Sequence, residues 1–137
     1  MIARRAALLV AGLAATASLG GCGQDKPPTV SLSAGGQAVT AQATRWCPDG
    51  KKCVSHSPPA AVLKIPARGD LTVDVGATVA KRPWIILVDG GTASPLQRHS
   101  RTFRLVAVRP GVTVEVVTVD TDGARVLQRD SWVFNVR

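Results

Sequence analysis

The sequence predicts an all-β protein: a small immunoglobulin-like or related antiparallel β-sandwich of about seven to eight strands, which follows a cleaved signal peptide. Apolar and polar residues alternate over many short segments, and this is the period of a half-buried strand. Gly, Pro and Asp residues separate these segments at the spacing expected of a sandwich. No segment beyond residue 21 has a convincing helical period.

The first 21 residues are predicted to be the signal peptide. Arg4 and Arg5 precede an almost unbroken apolar run over residues 6–17, and small residues then lead to Cys22. The run is shorter than the roughly twenty apolar residues that a transmembrane helix needs. Leu19-Gly20-Gly21-Cys22 resembles the lipobox of bacterial lipoproteins. The resemblance implies cleavage before Cys22, diacylglycerol on its sulfur, and a protein held by lipid on the extracytoplasmic face of the cell membrane.

An ordinary signal peptide that leaves Cys22 as a free thiol is the alternative. The export route, general secretory or twin-arginine, stays open. After the signal peptide we expect a lipidated N-terminus and polar spacer over residues 22–28, and a single β-sandwich domain over residues 29–137.

The net charge limits the classes of partner. Two of the 17 Lys and Arg residues lie in the signal peptide, so the rest of the chain has 15 basic and 9 acidic residues and a net charge of +6. Outside a cell membrane, the anionic surfaces that attract such a domain are phospholipid head groups and acidic wall polymers, not nucleic acid. The basic residues are spread along the chain, so most of them are expected to be solvated.

The alternation of apolar and polar residues predicts the positions of the strands. They are predicted, in order, over residues 30–33, 39–44, 61–65, 71–75, 84–88, 103–107, 112–116 and 131–136. Gly35-Gly36 and Asp122-Gly123 are typical of hairpin turns. Further turns are expected at Arg68-Gly69-Asp70, Asp89-Gly90 and Arg109-Pro110-Gly111.

Three of these segments identify the expected core. Residues 84–88 are apolar on both faces, which predicts a central strand covered on each side. Trp132 shares its alternating face with Phe134 and Val136. Trp84 and Trp132 are therefore predicted to be core residues and not a stacking platform for a carbohydrate.

Cys47 and Cys53 flank a Pro48-Asp49-Gly50 turn that folds the chain back on itself. In an exported protein this arrangement predicts a disulfide, worth about 2 kcal/mol for so small a loop. Five intervening residues do not match the Cys-x-x-Cys motif of redox proteins. A zinc site would have to include His56 and His99, whose spacing fits no compact ligand pattern.

Several short sequence features follow one another along the chain. They are Asp25-Lys26-Pro27, Cys47-x-Asp49-Gly50-Lys51-x-Cys53, the Trp84 strand ending in Asp89-Gly90, Ser94-Pro95, and Trp132-x-Phe134. In this order they resemble a family of small actinobacterial lipoproteins that is catalogued as a domain of unknown function. The resemblance implies a β-rich extracytoplasmic domain, and it brings no activity, cofactor or catalytic residue.

The expected function is a non-catalytic binding or scaffolding module at the cell envelope, without a cofactor or metal. It would contact the membrane through its lipid, and its partner would be an acidic envelope polymer or an envelope protein. The loop of Arg98, His99 and Arg101, continued by Arg104, is the candidate anion-binding site, because guanidinium groups suit phosphate and carboxylate. The alternatives are an envelope enzyme and a carbohydrate- or wall-polymer-binding domain. Neither histidine lies in a recognisable nucleophile motif.

Overall fold

The computed structural model describes residues 26–122 and 124–137, so the predicted signal peptide and Cys22 lie outside the described residues. The described chain forms a β-sandwich, and the all-β prediction is confirmed. Its strands are β1 (Val30–Ala34), β2 (Gln37–Ala41), β3 (Ala43–Trp46), β4 (Val54–Ser55), β5 (Ala61–Leu63), β6 (Gly69–Asp74), β7 (Trp84–Val88), β8 (Gly91–Thr92), β9 (Thr102–Val108), β10 (Thr113–Asp122) and β11 (Arg125–Val136). One helical turn, α1 (Gly76–Val79), lies between β6 and β7, and no helix in the described ranges is long enough to cross a membrane.

The strands form two largely antiparallel sheets. The smaller sheet has the order β2-β1-β6-β9, and the larger has the order β4-β3-β11-β10-β7-β8. β5 joins the larger sheet by pairing in parallel with the end of β11. The structure has eleven strands instead of seven or eight for two reasons: the segment predicted as one strand over residues 39–44 is divided between β2 and β3, and β4 and β8 are only two residues long. Strands this short show no alternation in a sequence.

One hydrophobic core fills the space between the sheets. Its largest side chains are Trp84, Trp132 and Phe134, none of which is exposed to solvent. The prediction that both tryptophans belong to the core is therefore confirmed. Each indole N–H donates to a backbone carbonyl, that of Trp84 to Ser100 at 2.8 Å and that of Trp132 to Pro28 at 2.9 Å. These bonds remove the cost of burying the polar edge of each ring.

Most predicted turns lie where the sequence places them. Gly35 and Gly36 join β1 to β2 with φ values of 54° and 81°, the left-handed backbone that a two-residue hairpin requires. Arg68-Gly69-Asp70 differs from the prediction, because β6 already begins at Gly69 and the chain bends at residues 66–68 instead. Asp70 lies inside the strand, at a β-bulge against β9.

The strand directions divide the loops between two ends of the sandwich. The N-terminal end carries residues 26–29, the Cys47–Cys53 loop, α1 and the paired residues Asp122 and Arg125 at the ends of β10 and β11. The distal end carries the Gly35–Gly36 turn, residues 64–68, Asp89–Gly90, residues 109–111 and Arg137. Backbone bonds hold the distal segments together, since Ile65 N–H donates to Arg137 and Gly111 N–H donates to Val136, both at 2.7 Å.

Candidate functional site

A cleft of about 660 Å³, the distal cleft, opens between the two sheets near the distal end. It lies where β9, the edge strand of the smaller sheet, faces Val88, Ala93 and Val112 of the larger sheet. On the other side of the sandwich, β2 of one sheet lies against β5 of the other. The sandwich is therefore closed along one side and open along the other.

The lining of the distal cleft combines apolar side chains at its base with charged residues around them. Leu105, Val108 and Val112 are buried at its base, and Phe103 and Val88 are half-buried. Val106 also lines the cleft and is 72% exposed. A concave surface that places charged groups beside apolar side chains can hold a ligand that has both a polar and an apolar part.

A β-bulge shapes the rim of the cleft. The pairing of β6 with β9 shifts between Gly69 and Leu71, and the consecutive residues Val106 and Ala107 are both exposed. Ala107 has φ of 54°, which a residue with a side chain rarely adopts. The Asp70 carboxylate holds this conformation, because it accepts the Ala107 N–H at 3.0 Å and pairs with Arg104.

The pKa of two aspartates on β6 is lowered by these contacts. The Ala107 N–H and then the Arg104 guanidinium hold the pKa of Asp70 below its ordinary value of 3.8. Partial burial acts to raise the pKa of Asp74, but hydrogen bonds from Arg101 and from the Gly76 N–H outweigh it, so this pKa is lowered as well. Both carboxylates are stabilised in their charged form.

Replacing Asp70 by asparagine is expected to lower the melting temperature at pH 6. A carboxyl with a depressed pKa stabilises the fold above its unfolded pKa, and this contribution is lost as the pH falls through the folded pKa. The difference in melting temperature between wild type and Asp70→Asn should therefore be largest above about pH 5. It should shrink as the pH falls below 3.8, the ordinary pKa of the carboxyl. Thermal denaturation followed by circular dichroism from pH 2 to pH 6 measures it. A difference that is the same at pH 2.5 and pH 6 would contradict the assignment.

Two arginines stand side by side at the mouth of the distal cleft. Gly69 of β6 pairs with Val108 of β9, so Arg68 and Arg109 are the next residues outward on the two chains, and both line the cleft. Both are exposed, and neither forms an ion pair within residues 26–122 and 124–137. An anion that reaches both guanidinium groups would be stabilised by two positive charges.

The other charged groups near this end include the negative Asp89 but leave an excess of positive charge. Lys64 and Arg137 are exposed at the same end and add positive charge. Asp89 lines the cleft, and one of its carboxylate oxygens accepts the Thr113 N–H at 2.9 Å. Asp70 is paired with Arg104.

The four residues predicted to bind an anion lie elsewhere, on the loop before β9 and on β9 itself. Arg98 and His99 are exposed, and no ion pair involves them in the described part of the chain. Arg101 pairs with Asp74 at 3.0 Å, and Arg104 pairs with Asp70, which precedes Asp74 by four residues on β6. Two of the four cations thus already have a carboxylate partner, and an anion site at this loop stays a prediction.

The Cys47–Cys53 disulfide is present, as predicted. Its loop is held to the sandwich by Asp130, a fully buried carboxylate that the sequence reasoning missed. Asp130 accepts hydrogen bonds from the Cys47 N–H at 2.7 Å, from Arg82 at 2.8 Å and from the Thr118 hydroxyl at 2.6 Å. Asp130, Trp132 and Phe134 are alternate residues of β11 and so lie on the same face of the strand. This alternation indicates from the sequence that Asp130 faces inward.

A second cleft, of about 810 Å³, lies at the N-terminal end beside this network. Its Arg82 contacts Asp130 and, at 2.5 Å, Asp49, so its charge is already compensated. Arg82 also stacks over the Trp46 ring, 5.4 Å from its centre. The Trp46 indole N–H is buried without an acceptor among the described residues. We assign this cleft a structural role, because the cation and the ring that face it are already engaged with each other.

No group of three or more His, Cys, Asp or Glu side chains in the described ranges is arranged to hold a metal ion. The bonded Cys47 and Cys53 are not available as thiolate ligands. The arrangement that points most directly to a ligand is the pair Arg68 and Arg109 above an apolar cleft.

Comparison with known proteins adds no relative from which a function could be transferred. No protein-family model matches the chain, and neither a curated protein nor a solved structure is significantly similar to it. The resemblance to small actinobacterial lipoproteins therefore stays a prediction, and function is inferred from the arrangement of the side chains.

Proposed function

We propose that the protein is a lipid-anchored, non-catalytic module that binds an anionic component of the cell envelope at its distal end. The observation that supports this function best is the exposed pair Arg68 and Arg109, which has no carboxylate partner in the described residues and lies at the mouth of an apolar cleft. Guanidinium groups bind phosphate and carboxylate through paired hydrogen bonds, so two of them side by side favour an anion.

The predicted lipid would orient this site. With diacylglycerol on Cys22, four residue steps of at most roughly 3.5 Å each hold Lys26 within about 14 Å of the membrane surface. Pro28 is fixed to the sandwich by the Trp132 indole, so the N-terminal end would face the membrane. The distal cleft would then face outward, towards wall polymers and other envelope components.

Binding is favoured over catalysis because the acidic groups around the distal cleft are committed to the fold. Asp70 and Asp89 each accept a backbone N–H, and Asp70 also pairs with Arg104. Neither histidine lines the cleft. Acid–base chemistry needs a titrating group within hydrogen-bond reach of the substrate, and Asp89, the carboxylate that lines this cleft, is engaged through one oxygen with the Thr113 N–H.

The proposal is tested with the full chain, expressed in a host that processes lipoproteins and purified in an uncharged detergent. Wild type should co-sediment with envelope fragments and be released as the salt concentration rises, because exposed charges are screened by salt. Arg68→Glu with Arg109→Glu should weaken retention by at least about tenfold. Arg45→Glu with Arg125→Glu is the matched control, since both are exposed cations outside the cleft and the change in net charge is the same.

The same cells test whether Cys22 carries a lipid. Wild type should incorporate a fatty-acid probe, and Cys22→Ala should not. Equal retention of wild type and the double arginine variant would refute binding at the distal end. Unchanged labelling of Cys22→Ala would refute the lipid anchor.

A further inference from the structure

We infer that the distal cleft takes one anionic amphiphile, a molecule with an alkyl chain and a phosphate or carboxylate head. This inference rests on the proposed function and names the class of its ligand. The head would lie between Arg68 and Arg109, and the chain would follow the open side of the sandwich between β9 and the larger sheet.

The positive charge at the mouth of the cleft indicates that the head group of the ligand is an anion. Arg68 directly precedes β6, Arg109 directly follows β9, and both line the same cleft. Neither has a carboxylate partner in the described residues, so one phosphate or carboxylate at this end can accept hydrogen bonds from both guanidinium groups.

The apolar side chains that line the cleft indicate that the ligand has an alkyl chain. The ladder of β6 and β9 carries Phe103, Leu105 and Val108 into the cleft, and Val88 and Val112 face them from the other sheet. Leu105, Val108 and Val112 are already buried, so a bare inorganic anion would leave mainly Phe103, Val88 and Val106 in contact with water. The exposed Val106 beside the bulge extends the apolar wall towards the mouth. A volume of about 660 Å³ is sufficient for a single alkyl chain but small for a folded partner.

An extended acidic peptide that adds a strand to β9 is the competing occupant. The bulge opposite Asp70 and the left-handed Ala107 interrupt the regular row of backbone groups that such a strand would need. The open edge is therefore a poor template for strand addition. An amphiphile needs no backbone pairing and uses the apolar walls that a peptide backbone would leave uncovered.

Native mass spectrometry of the full chain in an uncharged detergent at constant concentration tests the inference. The probes are octyl phosphate, butyl phosphate, octanoate, inorganic phosphate and octanol. Each buried methylene contributes up to about fourfold in affinity, so octyl phosphate should bind at least about tenfold more tightly than butyl phosphate. Comparison of octyl phosphate with octanoate shows which head group the arginines prefer.

Two variants separate the contributions of head and chain. Arg68→Gln with Arg109→Gln should weaken octyl phosphate binding by at least about tenfold and leave octanol unchanged. Val106→Ser should reduce the advantage of octyl over butyl phosphate. Arg45→Gln with Arg125→Gln is the matched control for the double variant, and Val126→Ser, 62% exposed in wild type, is the control for Val106→Ser.

Several results would overturn the inference. Equal affinity for inorganic and octyl phosphate would mean a simple anion site, and equal affinity for octanol and octyl phosphate would mean an apolar site without head-group recognition. Retention of octyl phosphate by the double glutamine variant would place the head elsewhere. If envelope retention depends on Arg68 and Arg109 while no amphiphile binds, an acidic polymer or peptide is the ligand and the proposed function stands. If both assays fail, the proposed function fails with it.

Discussion

Replacing Asp130 by alanine is expected to lower the free energy of unfolding by about 3–5 kcal/mol. The Asp130 side chain has no solvent exposure and compensates Arg82, which is itself only 19% exposed. The same carboxylate accepts the Cys47 N–H and the Thr118 hydroxyl. The alanine variant would leave a largely buried guanidinium without this partner and two buried donors without an acceptor, and each such group costs free energy.

Asp49→Ala is the matched control, because Asp49 pairs with the same arginine from a side chain that is 90% exposed. Its loss should cost less than about 1 kcal/mol, as is usual for exposed ion pairs. Urea denaturation of the full chain, followed by tryptophan fluorescence, gives both free energies. If Asp130→Ala is no less stable than Asp49→Ala, the buried network is not what holds the disulfide loop to the sandwich.

The fold was predictable because alternation records burial residue by residue. On β11, Trp132, Phe134 and Val136 are buried while Ser131, Val133 and Asn135 are only partly so, as the sequence indicates. The Cys47–Cys53 disulfide was predictable for a related reason, since a local turn fixes both sulfurs. Strands of two or three residues such as β4 and β8 are not visible in this way, because their pairing is decided by the neighbouring strand.

The candidate site was not predictable from the sequence, because it is assembled from residues that are distant in the chain. Arg68 and Arg109 are 41 residues apart and are brought together only by the pairing of β6 with β9. The predicted loop of Arg98 to Arg104 is basic along the sequence, but two of its arginines are paired with Asp74 and Asp70 of another strand. Local charge density therefore identified cations correctly without showing which of them have partners.

Trp132→Ala is the second substitution with a large expected effect, a loss of about 3–5 kcal/mol in the free energy of unfolding. Trp132 is fully buried, it meets the edge of Trp46 with the ring centres 6.4 Å apart, and its indole N–H is bonded to Pro28. The variant would leave a cavity between the sheets and release the chain at residue 28 from the sandwich. Such a loss is a large part of the total stability of a domain of this size.

Trp132→Phe separates the two contributions, because it keeps an aromatic ring in the core and removes only the N–H donor and part of the volume. It should cost less than the alanine variant, and Trp84→Ala should match Trp132→Ala, since Trp84 is also fully buried and bonded to a backbone carbonyl. For a domain of this length each kcal/mol corresponds to roughly 4–8 °C in melting temperature, so both alanine variants should melt at least about 12 °C below wild type. If both melt within a few degrees of wild type, these rings do not carry the core, and a carbohydrate-stacking role for them becomes the better account.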